Sequence, residues 1–164
     1  GKDTTNFVGN RIGVYGLIRT IKEMLDGGYT IEEADAILGE PTGRPKTGVF
    51  RLVDMVGLDT VVHILKNCYE TLPDDEERDI FQVPPFIARM IERKQFGDKT
   101  KGGFYKKEKG DGGKKLLAID ATTGEYREST RPKFDSIKKV KGIEDPGKRA
   151  AEFLRQAREK AVKQ

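Results

Sequence analysis

The segment NFVGNRIGVYGLIRTIKEMLDGG, residues 6–28, indicates the class of fold. Its apolar residues recur every three or four positions, which is the period of an α-helix with one buried face. The pair Gly27-Gly28 ends this pattern where a helix commonly ends at a glycine. The segment therefore predicts a first helix of about five turns. The apolar face comprises Val14, Leu17, Ile18, Ile21, Met24 and Leu25.

Four further helices are predicted before residue 107. A capping box, Thr30 to Glu33, precedes a short helix. Three helices follow it: a short apolar helix, a helix capped by Asp59, and a helix opened by Pro84-Pro85. Their predicted ends are Gly39, Gly57, Pro73 and Gly97. Because no strand signal appears here, residues 1–107 are predicted to form a compact all-α domain.

Residues 108–164 are predicted to be a basic linker or extension. The stretch GDGGKK, residues 110–115, is typical of a flexible connection. Residues 116–120 and 125–129 flank Ala-Thr-Thr-Gly and predict a small β-hairpin. From about Pro146 a narrow apolar stripe at helical spacing predicts a terminal helix, which could dock on a part outside this chain.

The composition excludes several classes of protein. The chain has 164 residues, of which 35% are hydrophobic and 35% charged, so it is neither disordered nor membranous. No apolar run approaches the roughly 20 residues that a membrane helix needs, and no signal-peptide pattern opens the chain. The single Cys68 rules out a disulfide framework and a cysteine metal site. These features favour a cytoplasmic protein.

The charge is unevenly distributed along the chain. Residues 1–92 carry 10 Lys and Arg against 16 Asp and Glu, a net of −6, whereas residues 93–164 carry 21 against 11, a net of +10. Such a basic part is commonly a solvated extension and less often a surface for phosphates or nucleic acid. Because no nucleic-acid-reading motif accompanies it, no nucleic-acid partner is expected.

Recognisable catalytic motifs are missing. The sequence has no Gly-rich nucleotide loop, no metal-ligand motif and no nucleophile with a base. The single histidine, His63, stands among apolar neighbours without an adjacent carboxylate, which disfavours a catalytic role. If the protein is an enzyme, this chain is therefore expected to assist the reaction rather than to supply its main catalytic groups.

Asn10 is the most informative polar residue of the first segment. Its amide lies among Phe7, Val8 and Ile12 near a helix start, where it could orient a substrate oxygen. Asn is also a preferred N-cap residue, and the octapeptide NFVGNRIG alone favours that local role. The missing initiating Met leads to the expectation that a segment upstream has been removed.

Taken in order, four motifs resemble the C-terminal domain of 3-hydroxyacyl-CoA dehydrogenase, the NAD-dependent enzyme of fatty-acid β-oxidation. They are NFVGNRIG, GRPKTGVFRLVDMVGLD, the helix opened by Pro-Pro, and FGDKTKGGFYKK. The resemblance covers roughly residues 3–107 and keeps order and spacing. It implies an all-α unit of the 6-phosphogluconate-dehydrogenase C-terminal type, following a Rossmann domain outside this chain that binds NAD and supplies a catalytic His and Glu.

The resemblance also assigns candidate site residues. The family's catalytic Asn lies in an FVxNR segment, which corresponds here to Asn10. The loop before VGLD lines the acyl-thioester pocket in relatives, which implies Pro45, Val49 and Leu52 as substrate-binding residues. No residue of this chain is implied in binding NAD or a metal. The fragment alone is expected to be inactive.

Two departures from the family pattern modify this expectation. Residues 45–50 are one residue longer than the usual P-M-G-P-F, and Lys101 replaces a common Gly, so the resemblance leaves acyl-chain length undefined. The loop that contains Lys46 and the basic extension with its hairpin resemble the branch of the family in which the dehydrogenase is fused to an enoyl-CoA hydratase. The implied partners are an acyl-CoA substrate, the two other modules and a second copy in a homodimer. The alternative is a non-catalytic helical dimerisation module.

Overall fold

The segment quoted above forms helix α1, Phe7–Asp26, in the computed structural model, which describes residues 7–110 and 113–162. Its end has the geometry of a Schellman motif. Gly28 has a φ of +65°, the N–H of Tyr29 donates to the Met24 carbonyl at 2.9 Å, and that of Gly28 donates to the Leu25 carbonyl at 3.3 Å. The predicted length and glycine termination are thus confirmed.

Four more α-helices complete the helical unit: α2, Ile31–Ile37; α3, Phe50–Val56; α4, Leu58–Thr71; and α5, Pro85–Glu92. Three 3-10 turns connect them, at Glu40–Thr42, Arg78–Phe81 and Asp98–Thr100. The capping box ahead of α2 is confirmed. The Glu33 N–H donates to Thr30 Oγ1 at 3.2 Å, and the Thr30 N–H donates to Glu33 Oε2 at 2.9 Å.

Two predicted helix boundaries were wrong. Asp59 does not cap α4, because the preceding turn is made by Gly57 with a φ of +104°; Asp59 lies in the first turn and pairs with Lys99. α5 ends at Glu92 rather than near Gly97, since Lys94 adopts the left-handed conformation with a φ of +55°. Capping hydrogen bonds from Lys94 and Gln95 to the last turn compensate for this unfavourable backbone.

A three-stranded antiparallel sheet follows the helices in the order β1, Tyr105–Gly110; β2, Gly113–Ile119; and β3, Tyr126–Glu128. The β2–β3 pair, with Ile119 opposite Tyr126, confirms the predicted hairpin. Strand β1 was not predicted, and Gly113 to Lys115 belong to β2 rather than to a flexible connection. Asp111 and Gly112 lie outside the described residues.

The last two helices pack against the chain itself. Helix α6, Asp135–Val140, buries Val140, and helix α7, Pro146–Val162, buries Phe153. α7 contacts both α6 and the 3-10 turn Glu40–Thr42. Of the predicted apolar stripe, Phe153 is buried within this chain, whereas Leu154 is 54% exposed. Docking of the terminal helix on a part outside this chain therefore stays a prediction.

One apolar core joins the helical unit to the base of the sheet. Phe50, Phe104 and Ile119 are fully buried in the same cluster as Ile18 of α1, and the Phe50 and Phe104 rings meet edge to face at 4.8 Å between centroids. None of the helices in the described chain combines the length and apolar character that crossing a bilayer requires.

Candidate functional site

An open cleft of about 470 Å³ lies between the first half of α1, the loop before α3, and helices α3 and α4. This volume falls within the range of typical small-molecule sites. Among the described residues that line it, Asn10 and Arg44 carry polar side chains and the others are apolar or glycine. The apolar side chains are Ile12, Val14, Leu17, Pro45, Val49, Leu52, Val53, Val56, Val61 and Ile64.

The four residues singled out in the sequence all lie on this cleft. Asn10, Pro45, Val49 and Leu52 come from two segments more than thirty positions apart, and the packing of α1 and α3 against α4 brings them together. Val49 is buried, Leu52 is 47% exposed, and Asn10 and Pro45 are exposed at the edge. Side chains that face a common cavity can contact a common ligand.

Asn10 is not a helix cap. The chain is already helical from Phe7, so Asn10 lies within the first turn of α1 as described, and the capping interpretation was wrong. Its side chain makes no hydrogen bond to another residue of the described ranges. An exposed amide in this position offers two N–H donors and a carbonyl acceptor to a ligand in the cleft.

Asp35 of α2 fixes the wall of the cleft that includes Val49 and Leu52. Its carboxylate accepts the N–H groups of Val49, Phe50 and Arg51 at 2.6, 2.7 and 3.2 Å, so it caps the N-terminus of α3 from a neighbouring helix. Burial raises the pKa of Asp35, although the hydrogen bonds it accepts act in the opposite direction. The start of α3 is therefore held at a defined distance from α2.

Asp54 anchors the segment that leads from the helices into the sheet. Its buried carboxylate accepts the N–H groups of Phe104 and Tyr105, each at 2.8 Å. Burial raises the pKa of Asp54 from 3.8 to about 6, against the effect of these hydrogen bonds. This contact places Phe104 in the core directly against Phe50.

Sequence reasoning did not identify Asp35, Arg44 or Asp54. Asp54 carries a signal that was available, since a lone carboxylate within the short apolar helix FRLVDMV would have to be paired or exposed. Asp35 carries no such signal, because its three amide donors are 14 to 16 residues away in the chain. Arg44 lies in the loop GRPKTG, where a basic residue is ordinary.

Two other depressions contain none of the predicted site residues. One of about 440 Å³ lies beside Asp75 to Ile80 and is lined mainly by charged side chains. Another of about 620 Å³ lies between the second half of α1 and α2, near Tyr29 and Leu38. His63 is exposed on α4 and lies on none of the three. The cleft beside Asn10 thus has the best combination of apolar lining and defined polar groups.

The described part of the chain does not offer a dinucleotide fold. Pyrophosphate sites of this kind require a parallel strand that leads through a Gly-rich turn into a helix. The three described strands are all antiparallel, and each strand pairs with the next one along the chain. These residues therefore do not fit the NAD that the sequence resemblance implies for the whole enzyme.

The fold and the cleft define the class: a helical domain in which an apolar cleft of ligand size carries one exposed amide. A sequence model described as 3-hydroxyacyl-CoA dehydrogenase, C-terminal domain, matches residues 7–107. The chain therefore belongs to the 3-hydroxyacyl-CoA dehydrogenase family, and the matched part is its C-terminal domain. The resemblance drawn from the sequence motifs is confirmed.

Individual relatives agree with this assignment. A probable 3-hydroxyacyl-CoA dehydrogenase of Bacillus subtilis is 44% identical over 144 residues, which cover 86% of this chain and 18% of that protein. An alignment of this length runs past residue 107, so part of the extension is shared. A putative fatty acid oxidation complex trifunctional enzyme of Rickettsia felis is 32% identical over 105 residues, covering 63% of this chain and 15% of that protein.

A solved structure supports the fold. The crystal structure of FadB2 from M. tuberculosis aligns with a TM-score of 0.56 and 33% identity, over 63% of this chain and 35% of that one. The chain thus spans less than a fifth of the length of the two curated relatives and about a third of the length of this structure.

Proposed function

We propose that this chain is the substrate-binding domain of an NAD-dependent 3-hydroxyacyl-CoA dehydrogenase, which oxidises L-3-hydroxyacyl-CoA to 3-oxoacyl-CoA in fatty-acid β-oxidation. The observation that carries the proposal is the cleft with Asn10 at its edge, in a chain whose residues 7–107 belong to this family. An apolar cleft with few polar groups suits a ligand that is mainly alkyl chain and needs its polar end oriented.

Asn10 is the proposed catalytic residue of this chain. Its amide N–H would donate to an oxygen of the substrate or help to position the family's histidine, and one such placed donor commonly contributes about 10²-fold in rate. The exposure of Asn10 and its position on the cleft support this role. Hydride and proton transfer are assigned to the upstream domain, whose NAD, His and Glu the family resemblance implies.

Pro45, Val49 and Leu52 are the proposed substrate-binding residues. All three line the cleft; Pro45 and Leu52 are exposed, and Val49 is buried. An acyl chain that lies against them would lose contact with water, which favours binding by about 0.8 kcal/mol for each buried CH₂ group. Asp35 supports this wall by fixing the start of α3.

The proposed protein is larger than this chain. Residues 1–107 would form the dehydrogenase domain, and residues 108–164 an extension that leads towards an enoyl-CoA hydratase module, in a cytoplasmic polypeptide with a Rossmann domain upstream. The trifunctional description of the Rickettsia felis relative supports a fused arrangement. The length of the curated relatives leaves room for both modules.

The proposal is tested by comparing the full-length gene product with the 164-residue chain. With acetoacetyl-CoA and NADH, the full-length protein should oxidise NADH, seen as loss of its absorbance, and the chain alone should not. Titration calorimetry should detect NAD binding to the full-length protein and none to the chain. Micromolar NAD binding by the chain, or a full-length protein inactive towards acyl-CoA thioesters, would contradict the proposal.

A second candidate function is a non-catalytic dimerisation module. Exposed apolar side chains near the cleft favour it, since such surface is commonly covered by another protein surface. Sedimentation equilibrium of the 164-residue chain tests whether it forms a dimer. A dimeric chain, together with a full-length protein that is also dimeric but has no dehydrogenase activity, would support this alternative. The side chains are Val8, Ile12, Leu52, Met55 and Val56.

A further inference from the structure

Arg44 is a cation on the lining of an otherwise apolar cleft. It follows the 3-10 turn Glu40–Thr42, its side chain is exposed, and its backbone N–H donates to the Gly39 carbonyl. Its guanidinium has no ion pair or hydrogen bond with another residue of the described ranges. By contrast, Arg51 forms a two-pronged pair with Asp98 at 2.7 and 2.8 Å.

The position of this guanidinium is defined relative to α1. A Cβ added to Gly16 would lie 3.8 Å from Nη2 of Arg44, so the guanidinium lies over the helix at this glycine. Because a helix rises about 1.5 Å per residue, Gly16 is about 9 Å from Asn10 along the axis of α1. The cleft thus has an amide towards one end and a cation towards the other.

The surface between these two groups is apolar. Gly13, Val14 and Leu17 line it on the α1 side, and no carboxylate lies on the described lining to neutralise Arg44. A guanidinium binds carboxylate or phosphate through a planar fork of donors. This combination is complementary to an amphiphilic ligand, an alkyl chain that carries an oxyanion.

We propose that Arg44 binds an oxyanion of the acyl-CoA held in the cleft. The inference rests on the proposed function, which supplies the identity of the ligand. One acyl-CoA molecule carries two possible oxyanions: the CoA phosphates, and a carboxylate at the far end of the acyl chain when the substrate is dicarboxylic. Arg44 is in either case a binding residue that selects among substrates and takes no part in proton or hydride transfer.

The experiment uses the full-length protein with Arg44 unchanged or replaced in Arg44→Gln. Three substrates separate the two oxyanions: acetoacetyl-CoA, a 3-oxoacyl-CoA with a terminal carboxylate, and acetoacetyl-N-acetylcysteamine, which has neither phosphates nor carboxylate. The matched control is Lys46→Gln, which removes a charge two residues further along the same loop. Lys46 is exposed, pairs with Glu40 at 3.7 Å and does not line the cleft.

Arg44→Gln is expected to lower kcat/KM about 10- to 100-fold, through KM, for substrates that carry the recognised oxyanion, while turnover of the N-acetylcysteamine thioester stays unchanged. A loss for both CoA esters identifies a phosphate, and a loss confined to the dicarboxylic ester identifies the terminal carboxylate. Arg44→Lys should recover part of the loss. Equal loss on all three substrates, no loss, or the same loss in Lys46→Gln would overturn the inference.

The outcome for the unmodified protein separates this inference from the function on which it rests. If the unmodified full-length protein reduces none of the three thioesters, the proposed function fails and the assignment of Arg44 fails with it. If it reduces them and Arg44→Gln shows no selective loss, the role of Arg44 alone is refuted.

Discussion

The hydroxyl of Tyr105 donates a hydrogen bond to Oδ2 of Asp35 over 2.9 Å, although the two residues are 70 positions apart in the chain. Asp35 simultaneously accepts the amide groups at the start of α3, beside the cleft. Tyr105 is the first residue of β1. One partly buried carboxylate therefore connects the wall of the cleft to the first strand of the sheet.

Replacing Tyr105 with Phe should lower the free energy of unfolding by about 1–2 kcal/mol, because a hydrogen bond to a charged group is lost while the ring remains. Urea denaturation of the 164-residue chain measures the change. Tyr29→Phe is the matched control, since Tyr29 is 52% exposed. Equal stabilities of the Tyr105→Phe and Tyr29→Phe proteins would show that the Tyr105 hydroxyl contributes nothing.

Asn10→Ala in the full-length protein should lower kcat/KM for acetoacetyl-CoA by about 10²-fold without changing the fold, because a donor at the edge of the cleft is lost. The far-ultraviolet circular dichroism and the Tm should stay close to those of the unmodified protein, since Asn10 is exposed. Asn67→Ala, on α4 and away from the cleft, is the control. Unchanged kcat/KM in Asn10→Ala would remove Asn10 from the mechanism.

The helices could be predicted from the sequence because local signals specify them. The apolar period of α1, the Thr30 capping box and the Pro-Pro opening of α5 each act within a few residues. Strand β1 could not, because YKKEKG has no alternating apolar pattern and is held by pairing with β2. Helix α6, DSIKKV, is short and Lys-rich, and it depends on burying Val140.

The residues of the candidate site likewise differ in how far the sequence could predict them. The residues alone favoured Asn10 as a cap, and the family resemblance was needed to favour it as a site residue. The position of Asn10 within α1 depends on where the helix begins, which the octapeptide does not specify. Asp35 and Asp54 depend on contacts 14 to 70 residues away, and such contacts leave no local pattern.

Asp54 should make stability depend on pH. Its pKa in the folded protein, about 6, lies above the ordinary value of 3.8, so the folded state binds its proton more tightly. The resulting stability is fully present below about pH 4 and is lost as the pH rises through about 6. A shift of about two pKa units corresponds to roughly 3 kcal/mol.

The measurement compares urea denaturation of the unmodified chain and of Asp54→Asn between pH 4 and 7. The free energy of unfolding of the unmodified chain, relative to that of the variant, should fall by about 2–3 kcal/mol over this range. Asp35, whose pKa is also raised, is present in both proteins and cancels in the difference. A difference that stays constant or increases with pH would contradict the assignment.

The sheet is also held to the helical unit by an ion pair between Glu32 of α2 and Arg127 of β3, 95 residues apart. Two hydrogen bonds of 2.7 and 2.8 Å join the carboxylate and the guanidinium, and Glu32 also accepts the Thr130 N–H at 2.9 Å. Burial raises the pKa of Glu32, but these partners outweigh it and hold the pKa below its ordinary value.

Arg127→Met should destabilise the chain by about 3 kcal/mol, because it leaves the Glu32 carboxylate, 4% exposed, without its cation. Adding Glu32→Gln should recover part of this loss, since the uncompensated charge is then removed. The deficit of Arg127→Met should also shrink as the pH falls below about 4.5, where Glu32 of the unfolded chain becomes protonated. Arg131→Met, at an exposed position nearby, is the control. Glu32→Gln alone is the second single variant of the cycle. If its loss and that of Arg127→Met simply add in the double variant, the two side chains are not energetically coupled.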